Sequence, residues 1–167
     1  MKKNLILFFA LLCSASLMVA LSSCGGSDDE PTPTNQTGKV VYLVRGIITS
    51  QEGEYLNGQV IVGDANSDEF KFYKGIYDKV AEAIAPETWE VTYNSSNKQS
   101  VLAENDNLAN EKFKTKFNKL KAIQQTLNET DKNAYHTRFA IKINLSAGGE
   151  TTVREGDMTI KYEGNLQ

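Results

Sequence analysis

The chain has 167 residues with 18 basic and 21 acidic side chains, a formal net charge of −3, one histidine and two cysteines. The acidic balance disfavours generic nucleic-acid binding, and a single histidine excludes a histidine metal cluster. No internal repeat appears, and the length suits one ordinary domain better than two.

Lys2 and Lys3 precede an almost wholly apolar run, Leu5 to Leu21, which closes on Ser22, Ser23 and Cys24. A short basic start, an apolar stretch and small residues describe an export signal that is removed and takes no part in the fold. A membrane span needs about 20 apolar residues. This run is broken by Ser14 and Ser16, so a cleaved signal is expected rather than an anchor. Leu21, Ser22, Ser23 and Cys24 resemble the lipobox of bacterial lipoproteins. Ser23 stands where glycine or alanine is more usual and is small enough for the same peptidase site. The resemblance implies cleavage after residue 23, a diacylglycerol on the Cys24 thiol and acylation of the freed amine. Each buried methylene contributes about 0.8 kcal/mol, so several acyl chains make attachment effectively permanent.

Residues 24–38 follow with Asp28, Asp29 and Glu30, then Pro31, Thr32, Pro33 and Thr34. Low hydrophobicity, clustered charge and prolines predict a disordered tether, extensible to roughly 3.3 Å per residue. The acidic triplet is similar to the export signal of surface lipoproteins in some Gram-negative anaerobes. The resemblance implies a lipid-anchored protein of a Gram-negative outer membrane, displayed at the cell surface, whose partner through Cys24 is the membrane itself. Loss of Lys2 and Lys3 leaves 16 basic against 21 acidic side chains, a net charge near −5. With Cys13 removed and Cys24 lipidated, the domain over residues 39–167 has no thiol for disulfides or metals.

Lys39 to Ser50 is rich in β-branched and aromatic residues on both faces and predicts a strand. Gln51, Glu52, Gly53 and Glu54 predict a turn, and Tyr55 to Gly63 a returning strand. Ser67 is a candidate helix cap with Asp68 and Glu69 in the first turn. Phe70, Tyr73, Tyr77, Val80, Ala81 and Ile84 repeat at helical spacing up to Pro86, with a weak point at Gly75. Trp89, Val91 and Tyr93 alternate with Thr88, Glu90 and Thr92, the period of a strand with one covered face. Asn94 to Lys98 predicts a polar loop. From about Asp106 to Glu129, Leu108, Phe113, Phe117, Leu120, Ile123 and Leu127 trace a second helical stripe. Tyr135 to Ser146 alternates as a strand, with His136, Arg138, Ala140, Lys142 and Asn144 on the solvent side. After a turn at Ala147, Gly148 and Gly149, a last strand turns Met158, Ile160 and Tyr162 inward, with Gly156 and Asp157 as its weak place. The order ββαβαββ predicts an α+β domain, an antiparallel or mixed sheet of about five strands with two helices on one face.

The chemical inventory is thin. His136 has no Gly-x-Ser-x-Gly elbow to join in nucleophilic catalysis, and it reads as a surface histidine. Asp64, Asn66 and Asp68 begin like a calcium loop, but Glu69 and Gly75 replace the glycine and glutamate that such a loop needs. Lys112, Lys114, Lys116, Lys119 and Lys121 read as a solvated helix face, without the interleaved aromatics of a nucleic-acid platform. No cofactor and no metal are expected. The expected function is a non-catalytic binding or structural domain. It would engage an envelope protein or an extracellular glycan or peptide through the open sheet face at Glu90, His136, Arg138, Lys142 and Lys161, flanked by Thr88, Thr92 and Glu163. The alternative is a small surface hydrolase using carboxylates or His136.

Overall fold

The structure, a computed structural model, describes residues 36–55 and 65–166. The signal segment, Cys24, most of the expected tether and Asp64 lie outside the described residues. The fold is α+β, with β1 (Thr37–Tyr55), α1 (Asp68–Ile84), β2 (Glu87–Asn94), α2 (Lys98–Glu129), β3 (Thr137–Gly148) and β4 (Thr152–Glu163). The strands form one antiparallel sheet in the order β2-β1-β3-β4. No helix among the described residues is long and apolar enough to cross a membrane.

The sheet has four strands among the described residues, not about five. Gln51 to Glu54, expected as a turn, continue β1 and pair with Ile141 to Arg138 of β3. Cross-strand pairing with Ile141, Ala140, Phe139 and Arg138 overrides the weak turn preference of a Gln-Glu-Gly-Glu stretch. Apart from Tyr55, which ends β1, the expected return strand lies outside the described residues. β1 thus carries both halves of the sheet: Thr37 to Val44 pair with β2, and Leu43 to Tyr55 pair with β3.

A β-bulge at Thr49 divides the strand. Ile48 faces Ile143, but the next pair is Ser50 with Lys142, and the Thr49 hydroxyl donates to the Lys142 carbonyl at 3.3 Å. One extra residue reverses the alternation that follows. Gln51 therefore turns to the helix side and accepts from the Tyr73 hydroxyl at 2.8 Å, whereas Glu52 turns outward and pairs with Lys142 at 3.2 Å.

Both helices cover one face. Val40, Tyr42 and Val44 of β1, Phe139, Ile141, Ile143, Leu145 and Ala147 of β3 and Ile160 and Tyr162 of β4 are buried there. Ile76, Val80, Ala83 and Ile84 of α1 and Ala109, Phe113, Leu120 and Leu127 of α2 pack onto them. α1 starts as expected, with Ser67 Oγ accepting from the Phe70 N–H at 3.1 Å, and it ends at Ile84, just before the Ala85-Pro86 pair that cannot continue it. α2 starts at Lys98, eight residues before the expected Asp106. The expected loop is a tight turn: Asn94 Oδ1 accepts from the Ser96 and Asn97 N–H groups, both at 3.0 Å, and Asn97 Oδ1 accepts from the Asn94 N–H at 2.7 Å. Leu108, expected in the core stripe, is 43% exposed. β3 runs from Thr137 to Gly148, so His136 lies before the strand and Ala147 and Gly148 inside it. Gly156 and Asp157 leave β4 unbroken, facing Leu145 and Asn144.

The last turn of α1 crosses β1 at Gly46, where an added Cβ would lie 2.7 Å from Ile84 Cβ and 2.9 Å from Leu145 Cδ2. Gly75 faces open space. Gly46→Ala is expected to destabilise the fold by about 1–3 kcal/mol through overpacking, and Gly75→Ala to stabilise it by about 0.5–1 kcal/mol through helix propensity. Denaturant midpoints of the two variants measure both, and a Gly46→Ala as stable as the parent would contradict this helix crossing.

Candidate functional site

The face opposite the helices is uncovered, and strand alternation fixes what it shows. Along β1 it presents Lys39, Val41, Leu43, Arg45 and Ile47 before the bulge and Ser50 and Glu52 after it. Thr88, Glu90 and Thr92 flank this row on β2; Ala140, Lys142, Asn144 and Ser146 flank it on β3, backed by Glu155, Asp157, Thr159 and Lys161 on β4. Val41 is 59% and Ile47 47% exposed, with Leu43 half-buried between them and Arg45 exposed. The central strand is thus apolar on both faces but covered on one. Sequence reading noted apolar residues on both faces of Lys39–Ser50 without taking the outer row as a site. The signal was present: one-sided cover leaves Val41, Leu43 and Ile47 in solvent.

Charge frames this row in opposite-sign pairs. Lys39 meets Glu90 at 2.8 Å, Lys142 meets Glu52 at 3.2 Å and Lys161 meets Glu163 at 3.5 Å. Asn144 donates to Glu155 at 3.0 Å and to Asp157 at 2.9 Å. Such exposed pairs contribute little to stability, each about 0–1 kcal/mol, and mainly determine what the surface shows a partner.

Of the five residues expected to form the site, the fold brings three together. Arg138 stands opposite Glu54 and Glu163 in register, Lys142 opposite Ser50 and Thr159, and Lys161 opposite Ala140. Arg138 and Lys161 line a shallow cleft of about 610 Å³ with Glu52 and Glu163, where β1 and β4 end and β3 begins. Glu90 is not part of that group. Its partner Val41 precedes Ser50 by nine residues, roughly 25–30 Å along the strand. His136 lies beside the sheet, its Nδ1 2.8 Å from the Asn165 carbonyl oxygen, in the loop that the C-terminal residues close. Cys24 lies outside the described residues. No group of three or more His, Cys, Asp or Glu able to hold a metal ion occurs among the described residues.

The lysine run on α2 is not a uniform solvated face. Lys116 is buried, and its ammonium donates to the Ala85 carbonyl at 2.6 Å and pairs with Glu87 at 2.8 Å. Lys112 binds the other Glu87 oxygen at 2.7 Å and lies 5.7 Å from the centre of the Trp89 ring. Lys114 and Lys121 stay exposed, the first paired with Glu111 at 2.7 Å, the second over the Phe117 ring at 5.0 Å. Hydrogen bonds from Lys112 and then Lys116 pull the Glu87 carboxyl down to about 2. Further along β2 and β1, Trp89 Nε1 donates to Asn105 and the buried Tyr42 hydroxyl donates to Asp106, both at 2.8 Å. Burial first, and the Asp106 hydrogen bond second, push the Tyr42 phenol up to about 12. All of this chemistry lies on the helix side and locks α2 in place.

Comparison with protein-family models, with curated proteins and with solved structures finds no match for the chain.

The Glu87 carboxyl titrates lower in the folded chain than its ordinary value of 4.5. Its contribution is therefore complete above about pH 4.5 and is lost as the pH falls towards 2. Because Glu87 is 44% exposed, screening reduces that contribution to about 1–2 kcal/mol. Denaturant unfolding across this window should show the loss in the parent chain and a flatter profile, with lower stability at neutral pH, in Glu87→Gln. Superimposable profiles would show that the cluster is not formed.

Proposed function

We propose that the chain is a lipid-anchored envelope protein, attached through Cys24 to the outer membrane of a Gram-negative bacterium and displayed at the cell surface. Its domain is a non-catalytic module that binds a partner protein through the uncovered sheet face. One observation carries the binding reading: a row of exposed apolar side chains, Val41 and Ile47 with Leu43 between them, on the central strand and framed by charge pairs. Apolar residues gathered in a rimmed patch on an otherwise polar surface are the mark of an interaction site. Tyr42, Trp89, Tyr93, Phe139 and Tyr162 of the strands turn towards the helices. Among the described side chains, the open face therefore offers no aromatic platform on which a sugar ring would stack, which favours a protein over a glycan. Removal of a basic signal leaves an acidic chain, in keeping with a soluble module held off an anionic envelope.

The hydrolase alternative has weaker support. His136 is held by the Asn165 carbonyl, and the carboxylates Glu52 and Glu163 near Arg138 are already paired with lysines.

Mass spectrometry of the N-terminal peptide tests the anchor and should find an acylated Cys24. A photo-crosslinking side chain at position 41 in intact cells tests the face. A discrete adduct with a protein other than this chain is expected, and it should disappear when Ile47→Lys is added. Changes at Val41 and Ile47 should move stability by no more than about 0.5 kcal/mol, as for exposed sites. The same adducts from a crosslinker at Lys119, on the outer side of α2, would refute the reading.

A further inference from the structure

The sheet has two outer edges, and the fold treats them differently. At β4, Gln124 of α2 accepts from the Lys161 N–H at 2.7 Å and donates to the Lys161 carbonyl at 3.0 Å. A side-chain amide occupies the place of a neighbouring strand's peptide group and covers that edge at Lys161. β2 pairs with β1 on one side, and among the described residues no strand pairs with its other side. Natural edges are usually blunted by lysine, proline, bulges or inward charge. β2 contains neither lysine nor proline, carries its inward charge, Glu87, at its first position, and follows β1 without a register shift.

The ground beside this edge is apolar. The inward residues of β2, Trp89, Val91 and Tyr93, are only half-covered, whereas those of β3 from Thr137 to Ala147 are buried. α2 runs back along β2, with Lys98 over the Tyr93 ring at one end and Lys112 over the Trp89 ring at the other. At about 100° per residue, Val101 and Leu108 fall outboard of the Asn105–Lys112 line that touches Trp89, and the buried Ala109 and Phe113 fall on the core side. Leu108, 43% exposed, and Val101, half-buried, thus overhang the open edge.

We propose that β2 pairs antiparallel with β2 of a second copy of this chain, about a two-fold axis at Val91, to join the two sheets into one. Directly opposed residues of an antiparallel pair share a face, so the register decides which side chains meet. Centring on Val91 sets Trp89 against Tyr93 of the second copy and Glu90 against its Thr92. It also sets Leu108 over the second copy's Tyr93 and Val101 over its Trp89. Centring on Glu90 would oppose two carboxylates, which selects against that register. The surface is isologous, as a closed two-fold dimer requires, and distinct from the uncovered face.

Disulfide trapping in membranes containing the full chain tests the pairing. Under mild oxidation, Val91→Cys should give several-fold more reducible dimer than the unmodified chain, which sets the background. Leu108→Lys in the same chain should lower that yield about tenfold, as loss of a central apolar contact does. Because Val91 is half-covered, a second pair of variants uses exposed positions: chains with Glu90→Cys mixed with chains with Thr92→Cys should cross-link to each other. The proposal is overturned if both designs give no dimer above background, if Thr159→Cys on the opposite edge strand gives as much, or if Val91→Cys is trapped on another protein instead.

Discussion

A single buried ammonium, that of Lys116, joins the parts of this domain that the sheet alone does not connect. Its bonds to the Ala85 carbonyl and the Glu87 carboxylate tie the middle of α2 to the end of α1 and the start of β2. α1 has no basic residue in its last turn, and Lys116 supplies from another helix the positive charge that a helix C-terminus favours. Removing Lys116 would take its ammonium donor from the Ala85 carbonyl and leave the Glu87 carboxylate, 44% exposed, with Lys112 alone. Lys112 binds the second oxygen of Glu87, and the excess positive charge of the two ammoniums is met by the Ala85 carbonyl and by the Trp89 ring, 5.7 Å from the Lys112 ammonium.

With the helices so placed, β1 distributes everything else. One long strand serves β2 with its first half and β3 with its second, and the bulge at Thr49 changes which side chains meet the helices. Before the bulge, Val41, Leu43 and Ile47 go to solvent beside Lys39 and Arg45; after it, Ser50 and Glu52 do. The uncovered face therefore gathers apolar side chains around Arg45 at its centre and is charged towards the end where Arg138, Lys142 and Lys161 gather. Polar groups near the core, Tyr42 with Asp106 and Trp89 with Asn105, serve the helix contact and leave the outer face with exposed, mutually paired charges.

Much of the domain was legible because alternation and helical spacing report one-sided burial directly. The period of two in β3 placed its inward row correctly, and Ser67 and Pro86 bounded α1 by local chemistry. The first turns of α2 were hidden because between Lys98 and Asn105 only Leu102 packs against the core, and Asn105 reaches it through a hydrogen bond to Trp89. Lys116 was misplaced for a similar reason: a lysine reads as solvated unless its carboxylate partner, 29 positions away in the chain, is known to be its neighbour. At the surface, alternation assigned Arg138, Lys142 and Lys161 to the correct face, but only strand order could show that Glu90 lies far from them. The outer row of β1 is a pattern that sequence contains and that acquires meaning once the helices are known to cover a single face.

The strongest consequence of this arrangement is that stability resides in the helix-side junction while the opposite face of the sheet is left uncovered. Denaturant unfolding of Lys116→Ala measures that most directly. A loss of about 1–3 kcal/mol is expected, since the change takes a charged donor from the Ala85 carbonyl and one of two ammoniums from Glu87. A loss within about 0.5 kcal/mol, the range of an ordinary surface lysine, would contradict the account.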